Sequence, residues 1–308
     1  MLIRMKKILI TGSNGLLGQK IVHALLKRKD VHVIATSLGE NRMIKKDGYT
    51  YEVLDITQIS EVELVLNQYK PDVIINTAAM TNVDACETKK EACWALNVTA
   101  VQNIVYVLTT SAELKNCHLI HLSTDFVFDG EKGTEYLETD NPNPLSYYAL
   151  SKFESEKIIE KSTISWSIAR TIIVYGIVDN MSRSNIILWA KEALSKGQKI
   201  NVVDDQFRSP TLAEDLADGC ILIADKMAKG IYHLSGPDTM SILELVYRVA
   251  EYWKLDKSLI TPSKSNTLNQ AAKRPSRTGF DISKARKELG YVPHSFEEGL
   301  KILDKQLH

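Results

Sequence analysis

The residues that most clearly suggest chemistry are a tyrosine and a lysine four positions apart, Tyr148 and Lys152. On a helix, positions i and i+4 share a face, so the phenol and the ammonium would point at one spot. A phenol has an ordinary pKa of about 10, and a nearby ammonium favours its ionised form. That would bring the pKa of Tyr148 closer to the working pH of a general acid. Such a pair is also common on ordinary surface helices, so its neighbours decide the interpretation.

A threonine at the end of a predicted strand is the third candidate. His118–Ser123 is predicted to be a strand, and Thr124 follows it. Ligands of doubly wound sheets bind at the carboxyl ends of the strands, so the Thr124 hydroxyl could bond a substrate oxygen beside Tyr148. A β-branched residue that merely ends a strand gives the same pattern. We expect no metal here, because His118 and His121 would point to opposite faces of one strand.

A glycine-rich turn near the start of the chain predicts a dinucleotide site. Gly12, Gly15 and Gly18 have G-x-x-G-x-x-G spacing between a predicted strand and a predicted helix. Glycines at these positions permit a tight turn, close approach of the backbone to a pyrophosphate, and close packing of helix on strand. The free N–H groups and the dipole of the following helix favour phosphate. Without this context the turn would be an ordinary one; with it, we predict dinucleotide binding.

The end of the second predicted strand bears on the choice of dinucleotide. An NAD site usually places Asp or Glu there to hold the ribose 2′-hydroxyl. This strand ends instead at Thr36 and Ser37. Arg42 and Lys45 follow in the loop and could meet a 2′-phosphate, although Glu40 is also there and a solvated loop would have the same composition. We predict that NADP(H) is preferred and that NAD(H) is possible.

The composition excludes several classes of protein. The 308 residues include 38 Lys and Arg against 38 Asp and Glu, so the net charge is zero. No basic surface for nucleic acid or an anionic membrane is therefore indicated. No run approaches the ~18 consecutive apolar residues of a membrane span. The four cysteines lack C-x-x-C spacing, so we predict free thiols and a cytoplasmic location.

Strand and helix patterns alternate through the first half of the chain. This alternation predicts right-handed crossovers and an α/β fold with a doubly wound parallel sheet of the Rossmann type. The predicted strands are Lys7–Thr11, Val31–Thr36, Glu52–Leu54, Val73–Asn76, His118–Ser123 and Trp166–Val174, and the predicted helices are Gly15–Lys29, Gln58–Tyr69, Asp84–Ala112 and Tyr147–Ile159.

Prolines break the second half of the chain into shorter pieces. Helical patterns cover Ser184–Lys196, Leu212–Lys226, Ser241–Trp253 and Phe296–Gln306, and two short apolar runs that could rejoin the first sheet are Ile200–Val203 and Ile231–Leu234. We predict a dinucleotide-binding domain over residues 1–170. A smaller substrate-binding domain over residues 171–308 would be interleaved with it.

Together these motifs resemble the extended short-chain dehydrogenase/reductase family, and within it the dTDP-4-dehydrorhamnose reductases. The resemblance covers nearly the whole chain. The segments that carry it are Thr11–Gly18, Asp55–Ile56, Asn76–Asp84, Leu122–Gly130, Tyr136–Glu138, Tyr147–Lys152, Asp205–Thr211, Gly230–Leu234 and Arg274–Pro275. The later segments lie in the predicted substrate half, so they are more specific than a dinucleotide fold alone.

The resemblance implies a role for each matching residue. Tyr148 would donate the proton, Lys152 would hold the nicotinamide ribose and tune Tyr148, and Thr124 would steady the forming alkoxide. The residues expected at the cofactor are Gly12, Asn14, Gly15, Leu16, Leu17, Gly18, Ser37, Arg42, Asp55, Ile56, Ala78, Ala79, Thr81, Tyr148 and Lys152. Those expected at the substrate are Thr124, Asp125, Ile173, Arg208 and Arg274, of which the two arginines would clamp phosphate.

The implied reaction is the reduction of a ketone. The resemblance implies NADPH-dependent reduction at C4 of a nucleotide-linked 4-keto-6-deoxyhexose, with dTDP-4-dehydro-L-rhamnose giving dTDP-L-rhamnose as the nearest match. It further implies a cytoplasmic homodimer that serves cell-surface polysaccharide synthesis. One departure bears on the sugar: the family commonly has a tryptophan against it where this chain has Ile173, and an aliphatic side chain has no flat stacking face. Another nucleotide sugar is therefore an open alternative.

Relatives with other functions fit these residues less well. A 4,6-dehydratase would have Glu directly after the Thr-Asp pair, where Phe126 stands, and an epimerase–reductase would need a cysteine that residues 119–130 lack. A regulatory subunit of methionine adenosyltransferase shares the fold and binds NADP without this catalysis. The intact tyrosine, lysine and threonine favour an enzyme but leave that binding role open.

Overall fold

Seven parallel strands form the central sheet, on which the rest of the fold is built. A computed structural model describes residues 4–267 and 270–308. The strands are β1 (Lys6–Thr11), β2 (Val31–Ser37), β3 (Thr50–Val53), β4 (Val73–Asn76), β5 (His118–Thr124), β6 (Ser165–Thr171), β7 (Val174–Tyr175), β8 (Ile200–Val203), β9 (Phe207–Arg208), β10 (Thr211–Leu212), β11 (Gly230–His233), β12 (Met240–Ser241) and β13 (Ile260–Ser263). The sheet order is β3-β2-β1-β4-β5-β6-β11, and every neighbouring pair is parallel. The predicted α/β fold with a doubly wound parallel sheet is confirmed.

Helices cover both faces of this sheet. They are α1 (Leu16–Leu25), α2 (Ile59–Tyr69), α3 (Val83–Thr88), α4 (Lys90–Trp94), α5 (Ala100–Thr110), α6 (Tyr147–Glu160), α7 (Ile186–Ser195), α8 (Ala213–Lys226), α9 (Ile242–Tyr252) and α10 (Phe296–Leu307). Successive strand residues point to opposite faces, so Ile8 and Ile10 of β1 pack with α1 and α8, whereas Leu9 packs with α2, α5 and α6. With both faces covered, the carboxyl edge of the sheet is left for a site.

The second half of the chain builds a core of its own and also returns to the first. β11 extends the central sheet beside β6, and α8 packs against α1. Ile200–Val203 does not rejoin that sheet, and this expectation was wrong: β8 pairs with β13 instead. The buried residues of β8 pack with α7 and α9 in a separate apolar cluster, so their side chains are removed from water without joining the central sheet.

The long helix predicted over residues 84–112 is interrupted. Lys89 separates α3 from α4 with a non-helical backbone, at φ −119° and ψ 54°. The chain is then helical over Lys90–Thr110, with one π-helical turn at Ala95–Thr99. Among the described residues this stretch alone is long and apolar enough to cross a membrane, and half of its apolar window is buried in the protein.

The carboxyl edge of the sheet brings the predicted site residues together. β2 lies on one side of β1 and β4 on the other, which opens a crevice at the ends of these strands. β1 ends at Thr11, just before the glycine loop, and β5 ends at Thr124. α6 packs beside β5 and carries Tyr148 and Lys152 to the same edge.

A buried ion pair fixes α6 against β6. Arg170 of β6 donates to both carboxylate oxygens of Glu156 on α6, at 3.0 and 2.7 Å, and the two side chains are 2% and 1% exposed. The guanidinium also lies over the Phe128 ring, 5.1 Å from its centroid. A buried charge without its partner destabilises the folded protein, so the position of α6 against β6 depends on both members of this pair.

Glu156→Ala should therefore destabilise the protein strongly, because it leaves the Arg170 guanidinium buried and unpaired. We expect a loss of about 3–5 kcal/mol in the free energy of unfolding, measured by urea denaturation. Glu154→Ala is the matched control: it removes a glutamate from the same helix whose partner, Lys157, is partly exposed, and should cost less than about 1 kcal/mol. Equal losses for the two variants would contradict this account of the pair.

Candidate active site

The glycine loop has the geometry of an anion site. Gly12 has a φ of +66°, and a Cβ there would lie 2.8 Å from the backbone N and Cα of Ala78. A Cβ on Gly18 would lie 2.5 Å from the Gly12 carbonyl oxygen. Gly15 is the N-cap residue of α1 and caps no N–H with a side chain. The buried Ser13 hydroxyl finds no hydrogen-bond partner in residues 4–267 or 270–308, so this loop fits a pyrophosphate.

Asn14 braces the loop against the segment that follows β2. Its amide nitrogen donates to the Glu40 carbonyl at 2.8 Å and to the Tyr51 hydroxyl at 3.1 Å. Its amide oxygen accepts from the Arg42 backbone N–H at 2.9 Å. Asn14 therefore shapes the predicted cofactor site rather than offering a free side chain. The Arg42 side chain is exposed and Ser37 is half-buried at the end of β2.

The other predicted cofactor residues lie along the ends of β3 and β4. The Asp55 carboxylate accepts from the backbone N–H and hydroxyl of Thr57, at 2.9 and 2.7 Å, which fixes the turn after β3. The Ile56 side chain is buried in the core, so a contact with adenine would fall to its backbone. After β4 the chain runs from the half-buried residues Ala78 and Ala79 to the exposed Thr81; Leu16 and Leu17 are half-buried at the start of α1.

Tyr148 is buried beside the end of β5. Helix α6 begins just before it, where the Ser146 hydroxyl accepts from the Ala149 backbone N–H at 3.3 Å. The Phe126 ring meets the Tyr148 ring edge-on at a centroid distance of 6.2 Å. Burial raises the pKa of Tyr148 above its ordinary value, and a hydrogen bond with the Thr124 hydroxyl only partly opposes this rise in pKa. The lowered pKa expected from the sequence was wrong, and the phenol is held protonated, as a proton donor must be.

Lys152 is 2% exposed and lies behind Tyr148 on the same face of α6. Its Nζ lies 3.0 Å from Nε2 of His121 on β5. Burial lowers the pKa of Lys152 to about 8, and the Glu156 carboxylate opposes that fall. Burial and the charge of Lys152 lower the pKa of His121 well below its usual range, so the imidazole is neutral.

Asn97 is a site residue that the sequence did not reveal. It lies in the π-helical turn, where its amide oxygen accepts from the Met80 backbone N–H at 2.8 Å. Its amide nitrogen donates to the Met80 carbonyl at 3.1 Å and to the Ser151 hydroxyl at 3.0 Å. The Ser151 hydroxyl in turn donates to the Tyr148 carbonyl at 2.7 Å. Asn97 thus ties the segment after β4 to the helix that carries Tyr148.

The structure corrects the expectations for Asp125 and Arg208. Asp125 is 3% exposed, and its carboxylate accepts from the Thr278 and Thr124 hydroxyls. Arg208 is 1% exposed and donates to the backbone carbonyls of Phe207, Ser276 and Pro275, with Nε 3.5 Å from Asp125. The pair is an internal support for Thr124, because neither side chain has a free face for a sugar or a phosphate.

Arg274 and Ile173 lie nearer the surface. The Arg274 guanidinium pairs with Asp84 at 2.7 Å and bonds the Ala272 carbonyl at 3.1 Å, but it is partly exposed and keeps donors for a phosphate. Ile173 lies between β6 and β7 with a φ of +33°, so the strand predicted over Trp166–Val174 is broken there. Its side chain is half-buried.

The histidines near this site are bonded to serine and asparagine side chains. Within the described ranges no three His, Cys, Asp or Glu side chains are grouped as metal ligands. His118 is bonded to the Ser165 and Ser167 hydroxyls at 2.8 and 2.7 Å, and His121 to Asn76 and Ser155. Both histidines are fully buried.

Comparison with known proteins identifies one family, with relatives of two kinds. The chain matches the family described as RmlD substrate binding domain over residues 5–308. It is 31% identical to a dTDP-4-dehydrorhamnose reductase of Aggregatibacter actinomycetemcomitans, over 96% of this chain and 98% of that protein. It is 30% identical to methionine adenosyltransferase 2 subunit beta of Xenopus tropicalis, over 92% of this chain and 82% of that one. A crystal structure of dTDP-4-dehydrorhamnose reductase from Bacillus anthracis str. Ames in complex with NADP has a TM-score of 0.82 at 26% identity, covering 98% of this chain and 99% of that chain.

Gly12→Ala should weaken dinucleotide binding, because the new methyl group would push the glycine loop away from Ala78. We expect the Kd for NADPH, measured by fluorescence titration, to rise at least tenfold, or about 1.4 kcal/mol. Gly133→Ala is the matched control: Gly133 also has a positive φ, +80°, but nothing lies within 4 Å of its added Cβ. The two variants share the backbone strain, so an unchanged Kd in Gly12→Ala would contradict the assigned role of the loop.

Proposed function

The chain belongs to the RmlD substrate binding domain family, and from this membership we propose that it is an NADPH-dependent reductase of a nucleotide-linked sugar. The substrate we propose is the C4 ketone of a 4-keto-6-deoxyhexose, with dTDP-4-dehydro-L-rhamnose giving dTDP-L-rhamnose as the first candidate. Identity of 31% with a reductase of that name supports this choice. The sugar nucleotide would lie between the unit of residues 1–170 and the unit of residues 171–308.

The observation that carries the proposal is a buried phenol hydrogen-bonded to a threonine hydroxyl at the carboxyl edge of the sheet, with a buried lysine one helical turn further along the same helix. Tyr148, Thr124 and Lys152 come from two adjacent elements and are each more than nine-tenths buried. Water is largely kept from them, so their hydrogen bonds act with little competition. A ketone oxygen placed between the phenol and the threonine hydroxyl would have both donors available.

The chemistry then needs a hydride and a proton. When bound, NADPH supplies the hydride to C4. The buried, protonated Tyr148 donates its proton to the ketone oxygen as negative charge develops there. The Thr124 hydroxyl turns from Asp125 to bond that oxygen, and the Lys152 ammonium stabilises the tyrosinate that remains. The Phe126 backbone N–H, which donates to the Thr124 hydroxyl oxygen at 3.2 Å, holds that oxygen in place.

The cofactor we propose is NADPH in preference to NADH. Asn14 holds the segment after β2 against the glycine loop, and that segment presents the exposed Arg42 side chain. A guanidinium suits a 2′-phosphate because it can donate two parallel hydrogen bonds. Ser37, at the end of β2, is a further donor and brings no negative charge. The complex of the Bacillus anthracis reductase with NADP supports this preference.

We also propose a cytoplasmic homodimer. All four cysteines lie in the described ranges and are buried free thiols, which suits a reducing compartment. Tyr106 on α5 and Leu150 on α6 are 57% and 37% exposed on the layer that faces away from α1 and α8, and a second copy could cover them.

A second candidate function follows from the similarity to methionine adenosyltransferase 2 subunit beta. That protein is 30% identical to this chain over 92% of this chain and 82% of that protein. In this alternative the fold would bind NADP and a partner enzyme without turnover. The gathered tyrosine, threonine and lysine favour the reductase, because a purely regulatory subunit has no need of a proton donor.

Tyr148→Phe should lose turnover while keeping the cofactor, because it removes the proton donor and little else. We expect NADPH oxidation with dTDP-4-dehydro-L-rhamnose to fall by about 10²–10⁴-fold, with the Kd for NADPH changed by less than about twofold, or ~0.4 kcal/mol. Tyr147→Phe, one position earlier, is the matched control and should keep its turnover. UDP- and GDP-linked 4-keto sugars assayed in parallel test the choice of base.

Near-normal turnover in Tyr148→Phe would contradict the mechanism. A wild-type protein that binds NADPH, reduces none of these sugars and associates one-to-one with a methionine adenosyltransferase would establish the second candidate instead.

Arg42→Ala should change the preference between cofactors. The lost guanidinium should raise KM for NADPH about tenfold, a typical effect of one charged hydrogen bond, and leave KM for NADH unchanged. Lys46→Ala removes an exposed positive charge from the same loop and should alter neither value by much. If NADPH and NADH are affected equally, Arg42 does not meet the 2′-phosphate.

A further inference from the structure

Lys152 has a partner that the proposed mechanism does not use. Within the part of the chain that the structure describes, the hydrogen bond of its Nζ is to Nε2 of His121, at 3.0 Å. His121 is completely buried and lies on β5, three residues before Thr124. Because His121 is inside the protein, its contact with the ammonium does not compete with water.

The protons of this contact can be assigned from chemistry. An ammonium has only donors, so it bonds Nε2 only when that nitrogen carries no proton. Nδ1 then carries the proton and donates it to the amide oxygen of Asn76 at 3.0 Å, which requires the amide orientation in which the Asn76 nitrogen donates to the Thr11 hydroxyl. In the other tautomer Nε2 carries the proton and donates to the Ser155 hydroxyl, also at 3.0 Å. Only the first tautomer supports a charged Lys152.

We propose that His121 is a positioning residue for Lys152: its Nε2 lone pair holds the lysine in the charged form and aims it at the cofactor ribose. This inference rests on the proposed function, since it assigns His121 a part in the same site. It deepens that function by adding a residue that touches neither substrate nor cofactor. One N–H of the Lys152 ammonium donates to the neutral His121 imidazole. The other two N–H donors stay free for the ribose and for Tyr148.

Other groups that face Lys152 cannot take over this part. Glu156 and Tyr148 lie on its own helix, and the Glu156 carboxylate already accepts two hydrogen bonds from Arg170 of β6. Cys93, on α4, bonds the Ser151 hydroxyl at 3.4 Å. Asp125, just after β5, is bonded to Thr278 and Thr124 and faces Arg208. His121 is left as the direct neutral acceptor.

Hydrogen bonds link the His121 imidazole to the strand that leads into the glycine loop. Asn76, which bonds Nδ1, also bonds the Thr11 hydroxyl at 2.6 Å. Thr11, Asn76 and His121 are register partners on the adjacent strands β1, β4 and β5. Thr11 immediately precedes Gly12 of the glycine loop. These three side chains therefore connect the loop expected to hold the pyrophosphate with the lysine expected to hold the ribose.

The test replaces His121 while keeping the size of the side chain. His121→Phe removes the acceptor, and His121→Leu serves if the phenyl ring does not fit. His121→Gln restores an acceptor. His118→Phe is the matched control, because His118 is an equally buried histidine on the same strand whose partners are Ser165 and Ser167 rather than Lys152. Thermal unfolding shows which variants are folded.

The first measurement is the Kd for NADPH between pH 6.5 and 9.5, by fluorescence titration. For the wild-type protein the Kd should begin to rise near the pKa of Lys152, about 8, because the uncharged amine holds the ribose less well. In His121→Phe the ammonium has lost its acceptor, so the pH at which the Kd begins to rise should fall by about one unit. His121→Gln should restore it and His118→Phe should leave it in place.

The second measurement separates positioning from mere folding. In His121→Phe the fall of kcat at high pH should shift to lower pH by the same amount as the rise of the Kd for NADPH. KM for the sugar should change less than kcat. A folded His121→Phe or His121→Leu in which the Kd begins to rise at the same pH as in the wild type would overturn the proposal. If the wild type binds NADPH and reduces no sugar, the proposed function fails, and the titration of Kd still decides the role of His121.

Discussion

A row of buried polar side chains across the central sheet is the constraint on which the site depends. Thr36, Thr11, Asn76 and His121 are register partners on four adjacent strands, and none is more than 2% exposed. Buried polar groups must be paired, and the contacts between Thr11, Asn76 and His121 pair them with one another. A slip of one residue in any strand would turn these groups to the other face of the sheet. The row therefore fixes the register of the four strands, and the glycine loop and Thr124 follow it directly along β1 and β5.

The same enclosure sets the protonation of the groups proposed to be catalytic. Burial raises the pKa of Tyr148 and lowers the pKa of Lys152 to about 8. The first effect keeps a proton on the phenol, and the second leaves the lysine charged at neutral pH but easily shifted by its neighbours. A reductase needs both, since the phenol must give up its proton and the resulting tyrosinate must then be stabilised. Exposing these side chains would weaken each of these effects, because water would screen the charges and solvate the ions.

Features that local sequence determines were predictable, and features that depend on distant contacts were not. The strands of the first half, the glycine loop and the spacing of Tyr148 and Lys152 follow from short patterns. Five of the six predicted strands lie within two residues of their predicted bounds, and the sixth ends at Thr171 instead of Val174. The interruption at Lys89, the π-helical turn around Asn97 and the pairing of β8 with β13 arise from tertiary packing and leave no periodic signal. The burial of Arg208 was missed for a related reason: an arginine in a motif looks alike whether it faces a phosphate or three backbone carbonyls.

Ile173 lies at a position where the proposed sugar site could vary without a change in the proposed reaction. A β-branched residue rarely has a φ of +33°, so the backbone here must be held by its surroundings. Thr211 supplies that hold: its N–H donates to the Ile173 carbonyl at 3.1 Å and its hydroxyl to the Ile172 carbonyl at 2.6 Å, beside the pairing of β7 with β10. None of these bonds involves the Ile173 side chain. The backbone would thus present an aromatic or an aliphatic group in the same direction, and a change of side chain at this position would alter the surface offered to the sugar without moving Tyr148, Thr124 or Lys152.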